Sequence, residues 1–247
     1  MRSANPTLQN DTFSHFRVAA GAERMSVQGV IGKAGLMLLL VLLTAGYTWT
    51  KFYQAGGNPQ AVSGLMMGGM LVGFILAMVT AFKAQWSGVT APAYALAEGL
   101  FLGGISALFE ANYPGIALQA VCLTFGTMGG MLLLYQAGIL QATDTFKRII
   151  FVATAGIAVT YLLSLVLSFF DVTVPFIYGG GIGGILFSLF VVCIAALNFI
   201  IDFDFIERGA AQGAPKYMEW YGAFALMVTL IWLYIEFLRL LSKLRER

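Results

Sequence analysis

Residues 176–201 read FIYGGGIGGILFSLFVVCIAALNFII, with no charged residue anywhere in the run. Crossing the hydrocarbon core of a bilayer takes about 20 apolar residues in a helix. This stretch alone therefore places the chain in lipid. The segment from Asn198 to Glu207, NFIIDFDFIE, carries Asp202, Asp204 and Glu207 at its boundary. A carboxylate at membrane depth is costly unless it faces protein or water, so such acids are candidate functional groups.

Six more apolar stretches of spanning length lie around this one. Five precede it, at Ala34–Phe52, Ala61–Phe82, Pro92–Phe109, Ile116–Gly138 and Ile149–Phe170, and Tyr221–Leu241 follows. In lipid only helices and closed barrels satisfy their backbone polar groups, and these lengths are helical. The expected fold class is all-α, a polytopic membrane helix bundle of seven transmembrane helices. Gly56-Gly57-Asn58-Pro59, Tyr113-Pro114-Gly115 and the segment from Gly209 to Pro215 supply turns. Residues 1–33 are polar and read as a cytoplasmic N-terminal arm; residues 34–247 form the transmembrane domain. No apolar core lies near the start, so a cleaved signal peptide is not expected.

Composition agrees. Of the 247 residues 59% are apolar and 11% charged, and mean hydropathy is +0.83; soluble domains carry about 25% charged residues. A net charge of +2 is too small to imply nucleic acid. Cys122 and Cys193 both sit inside apolar runs, against a disulfide framework and against a metal site. The single histidine, His15, belongs to the arm, so none stands at membrane depth as ligand, proton shuttle or partner of a serine. Enzyme activity is not expected, and no catalytic residue or cofactor is assigned. A retinal protein would need a lysine within the last helix, whereas Lys243 reads as lying at its exit.

Cations set orientation. With the arm inside, inner segments hold Arg2, Arg17, Arg24, Lys33, Lys83, Lys147, Arg148, Arg208 and Lys216, and only Lys51 falls in an outer loop. Seven crossings then leave Arg239, Lys243, Arg245 and Arg247 outside, against the rule. Glycines recur four apart at Gly64 and Gly68, Gly69 and Gly73, Gly99 and Gly103, Gly126 and Gly130, and Gly180 and Gly184. Such spacing lets helix backbones approach closely, and packing is the expected role.

Asp202 heads the site candidates. It lies about 10 Å from the inner loop at 1.5 Å per residue, and Asn198, four residues earlier, shares its face. Glu98, in the third helix, lies about 12 Å deep by the same measure. Two carboxylates sharing a low-dielectric site would split their titrations and form a pH-sensitive latch, or bind a cation when both ionise. A protonated Glu98 bonded to a neighbouring carbonyl is the plainer alternative. Asp204 and Glu207 read as interfacial and solvated. Glu236, in Tyr234-Ile235-Glu236-Phe237-Leu238-Arg239, stands near the outer surface, where Arg239 pairs with it as a boundary ion pair. Asp204, Arg239 and Glu219 are secondary candidates.

Asp-x-x-x-Ile closing the sixth helix (Asp202 to Ile206) and Tyr-x-acid-Phe-x-x-Leu in the seventh (Tyr234 to Leu240) resemble the closing signature of the Bax inhibitor, or transmembrane Bax inhibitor motif, family. The resemblance covers residues 25–245, is specific in the last fifty, and points to the bacterial YccA-like branch. It implies a last helix at the centre, wrapped by six others. It also implies a calcium leak gated by pH through two acids on the sixth and seventh helices, here Asp202 and Glu236. Calcium would be the permeant ion, with Asp202 its possible ligand and no firm metal site. Two departures stand: the seventh helix has Glu rather than Asp, and the segment between the acids is longer. Lys83 alone represents the arginines that close the family's second helix, and Glu98 is a substitute inner partner.

The expected function is a pH-sensitive calcium leak in the plasma (inner) membrane of a bacterium, with a cytoplasmic N-terminus. The alternative is a non-conducting scaffold or regulator that binds other membrane proteins or proteases. The lipid bilayer is a partner on either reading.

Overall fold

In this computed structural model the described residues are 23–170, 177 and 179–246. The arm's Arg2, His15 and Arg17, the expected start of the sixth helix at Phe176, and Arg247 lie outside them. The helices are α1 (Val27–Gln54), α2 (Gln60–Phe82), α3 (Ser87–Asn112), α4 (Ile116–Gln136), α5 (Asp144–Ser168), α6 (Ile182–Ala211) and α7 (Met218–Arg245), with a 3-10 turn at Ala84–Trp86. Among the described residues, seven helices are long and apolar enough to cross a membrane. The expected all-α, seven-helix class is the one found.

Helix ends follow local chemistry. Ser26 Oγ accepts from Gly29 N at 3.0 Å just before α1, and Thr143 Oγ1 accepts from Phe146 N at 3.2 Å at the head of α5. Both are side-chain N-caps, which satisfy otherwise orphaned amides. At α4 the cap residue is Gly115, with φ of 83°, and Glu110 supplies the acceptor instead, taking Ala117 N at 3.0 Å. Gly56 and Gly57, with φ of 68° and 80°, make the turn between α1 and α2.

Several boundaries differ from the sequence reading, for one reason. Apolarity marks where a helix meets hydrocarbon, whereas hydrogen bonding carries it further. Thus α1 already begins at Val27, with Lys33 inside it, and α3 begins at Ser87 with Pro92 within its second turn. Helix α6 runs past Asp202, Asp204 and Glu207, and also past Gly209, to Ala211; the left-handed turn residue is Gly213, with φ of 67°.

The described residues fall into two units. One comprises those up to Lys51, Val62–Gly103 and Asp204–Met227; the other comprises Phe52–Ala61, Gly104–Phe203 and Val228 onward. The dividing points fall near the end of α1 and the start of α2, and well inside α3, α6 and α7. In the apolar windows of these three helices 50% of residues are buried, against 17% in α1, α2 and α5 and 22% in α4. From Met218 to Lys243 only Val228 of α7 is exposed. The last helix is thus enclosed on nearly every side, as a core helix is, whereas α6 leaves Leu186, Leu189 and Phe190 exposed.

The glycine pairs divide. On α3, a Cβ at Gly99 would collide with Val41 O and Thr44 Oγ1, and one at Gly103 with Ala45 O, so α1 lies directly against α3. Gly69 and Gly73 of α2 likewise face Ala97 and Glu98. Gly64, Gly68, Gly126 and Gly130 meet nothing among the described residues. There the expected packing role is not filled among the described residues.

Candidate functional site

Each membrane-embedded acid has its own setting. Asp202 Oδ2 accepts from Thr229 Oγ1 of α7 at 2.6 Å. Its expected partner Asn198 turns elsewhere: Asn198 Nδ2 donates to Thr154 Oγ1 of α5 at 3.0 Å and to Ile194 O at 2.8 Å. The shared helix face was legible, but an amide donor finds its acceptor across the helix interface.

Glu236 of α7 is 1% exposed. The expected ion pair with Arg239 does form, with Nη1 donating to Oε1 at 3.2 Å. Tyr161 of α5 donates its hydroxyl to the same oxygen at 2.9 Å, and the Arg239 guanidinium lies over the Tyr161 ring, 4.9 Å from its centroid. Acid, phenol and guanidinium therefore close a triangle. Oε2 of Glu236 is buried without a hydrogen-bond partner of normal geometry, with Trp232 close enough to act on the carboxylate. Tyr161 was missed in the sequence because nothing in a single helix reports which neighbour it faces.

Asp202 and Glu236 are not brought together. Asp202 is tied to Thr229, seven residues before Glu236, which sets the acids about 10 Å apart along α7. An apolar cluster of Ile150, Ile157, Val191 and Ile194 has Trp232 and Tyr161 packed on it.

Glu98 points from α3 at α2. A Cβ on Gly73 would stand 2.8 Å from Glu98 Oε1, so glycine makes room for the carboxyl. Asp204 is 7% exposed, not solvated, and accepts from Arg208 Nε at 2.8 Å one turn on; Glu207 is exposed.

Glu219 is wholly buried in the first turn of α7. Ser26 N and Oγ donate to its Oε1, each at 2.9 Å. Lys33 pairs with its other oxygen, and Lys216 approaches to 3.4 Å. Gly29 is a glycine because a Cβ there would overlap this carboxylate. The arrangement fastens the start of α1 to α7 and has the character of a structural clasp.

Lys243 stands in the last turn of α7, as expected, but it is buried. It is 5% exposed and donates to Ile177 O at 2.6 Å, Gly184 O at 3.1 Å and Ser188 Oγ at 2.8 Å. Cys122 and Cys193 are free, on exposed faces of α4 and α6. Among the described residues, no three His, Cys, Asp or Glu side chains converge in a way that could hold a metal ion.

The family model described as "Bax inhibitor 1 like" matches residues 5–246. No curated protein and no solved structure matches the chain.

Proposed function

The chain belongs to the Bax inhibitor 1 like family, and from that premise we propose that it is a pH-sensitive cation leak, with calcium the permeant ion and intramembrane carboxylates the gate. One observation supports this above others: Glu236 lies buried in a membrane-spanning helix with one oxygen lacking a hydrogen bond of normal geometry. An unsatisfied buried polar atom demands an explanation, and a proton or a passing cation supplies one. Glu236 in its ionised form holds Arg239 and accepts from Tyr161. Protonation removes the charge that binds the guanidinium, so the triangle loosens and flux rises as pH falls. Asp202, two turns away, offers a hard oxygen suited to calcium on its passage.

The reading extends to setting. The bacterial YccA-like branch, the inner membrane and a cytoplasmic N-terminus belong to the proposal, with the cation-rich segments on the cytoplasmic side.

Calcium flux in proteoliposomes between about pH 6 and 8 is the test, with the protonation equilibrium as the variable. Wild type should leak more at the acidic end. Glu236→Gln, a mimic of the protonated state, should leak at both ends, and Asp202→Asn should lower flux several-fold throughout. Wild-type liposomes that stay tight across the range would end the leak proposal. Glu98→Gln should displace the pH profile; an unchanged profile removes Glu98 from the gate.

A second reading, a non-conducting scaffold for other membrane proteins, draws on the unfilled glycine faces at Gly64 and Gly68 and at Gly126 and Gly130. Small-residue faces of this kind suit docking of a foreign helix. Tight liposomes would favour it.

A further inference from the structure

The leak reading assigns no role to the buried amine of Lys243. Its three protons have three acceptors, Ile177 O, Gly184 O and Ser188 Oγ, at 2.6, 3.1 and 2.8 Å. A buried ammonium is costly unless fully hydrogen-bonded. A methionine of similar length could fill the same space without that cost, so packing alone does not call for lysine. The cradle instead has the chemistry of a cation site. Its donors are two carbonyls and one hydroxyl, with no carboxylate. Divalent calcium is normally held with carboxylates, whereas neutral carbonyl oxygens replace the hydration shell of potassium, an ion close to ammonium in size.

The backbone is shaped for this cradle. A Cβ on Gly184 would collide with Gly179 O and would stand 3.7 Å from Lys243 Nζ. Glycine at 184 therefore lets the 179–184 segment fold tightly beside the amine. Ser188, one turn further along α6, is 1% exposed and aims its hydroxyl at the same point.

We infer that Ile177 O, Gly184 O and Ser188 Oγ form a monovalent-cation site that Lys243 fills with its own ammonium. On the leak reading above, this tethered cation also obstructs that end of α7 to passing ions.

The test begins with Lys243→Ala, purified in detergent and melted in potassium chloride or in choline chloride at equal ionic strength. Potassium, but not choline, should raise its melting midpoint by about 3 °C, as binding to the folded state alone requires. Wild type should melt alike in both salts, and adding Ser188→Ala to the variant should abolish the gain. Equal melting of Lys243→Ala in the two salts overturns the inference. If the variant does not fold without salt, recovery of monodisperse protein in potassium but not choline supports the site, and recovery in neither overturns it. Potassium flux separates this inference from the leak reading. Lys243→Ala should conduct several-fold more than wild type. Liposomes tight with both proteins overturn the leak, while the melting result still decides the cation site.

Discussion

Glu219→Ala is expected to destabilise the folded protein by about 3 kcal/mol, because removing one partner of a buried ion pair leaves the other uncompensated. Glu219 has no exposed surface, and its carboxylate is the meeting point of Ser26 N, Ser26 Oγ, Lys33 and Lys216. Truncation strips the start of α1 of its tie to α7. It also leaves the Lys33 ammonium, whose side chain is 19% exposed, beside an apolar void. Lys33 retains the Trp220 ring, 5.4 Å from its nitrogen, and that contact offsets only part of the loss. Lys33→Ala should be costly too, since it leaves a buried carboxylate. The double variant should therefore lose less than the sum of the singles, with a coupling of about 1–3 kcal/mol. Unfolding of the purified protein in mixed micelles, followed by circular dichroism, measures all three. Strictly additive losses would show that the pair does not act as a unit.

Gly103→Ala should cost about 2–3 kcal/mol, from overpacking at a helix contact that has no slack. A methyl at this position meets the carbonyl of Ala45, which is backbone and cannot rotate away. To admit it, α1 and α3 must separate, which also disturbs the contact at Gly99, where Thr44 and Val41 lie equally close. Gly68→Ala is the matched control. Nothing stands within 4 Å of a Cβ there among the described residues, and alanine is the better helix former by about 1 kcal/mol. That variant should be neutral or stabilised. The same unfolding assay reads both, and equal responses at Gly103 and Gly68 would contradict the close approach of α1 and α3.

These two pairs of glycines show where sequence reading reaches its limit. The spacing of four is identical at Gly64 and Gly68 and at Gly99 and Gly103, and it correctly marks a small-residue face in each. Whether a neighbour occupies that face depends on where another helix lies, which spacing does not encode. The acids tell the same story. Asp202, Glu236 and Glu98 stood out because charge is scarce in apolar runs, and the ion pair of Glu236 with Arg239 was legible as a contact within one helix. The Thr229 partner of Asp202, the Tyr161 partner of Glu236 and the Thr154 partner of Asn198 all come from other helices. Lys243 does stand at the end of its helix, as its place just past the apolar run suggested. Its burial was not legible, because Ile177 O, Gly184 O and Ser188 Oγ that receive its protons lie far away in sequence.

By itself, the sequence determined that seven helices cross a membrane, because apolar length and backbone satisfaction in lipid are properties each segment carries alone. It also marked the scarce acids within or beside those apolar runs, since a charge stands out in an uncharged stretch. Only the tertiary structure decided that Asp202 and Glu236 stand about two turns apart, that Glu219 clasps α1 to α7, and that Lys243 is enclosed by oxygens. Those outcomes depend on which helix faces meet, and a hydrogen bond between helices is settled by positions in space that no one helix specifies.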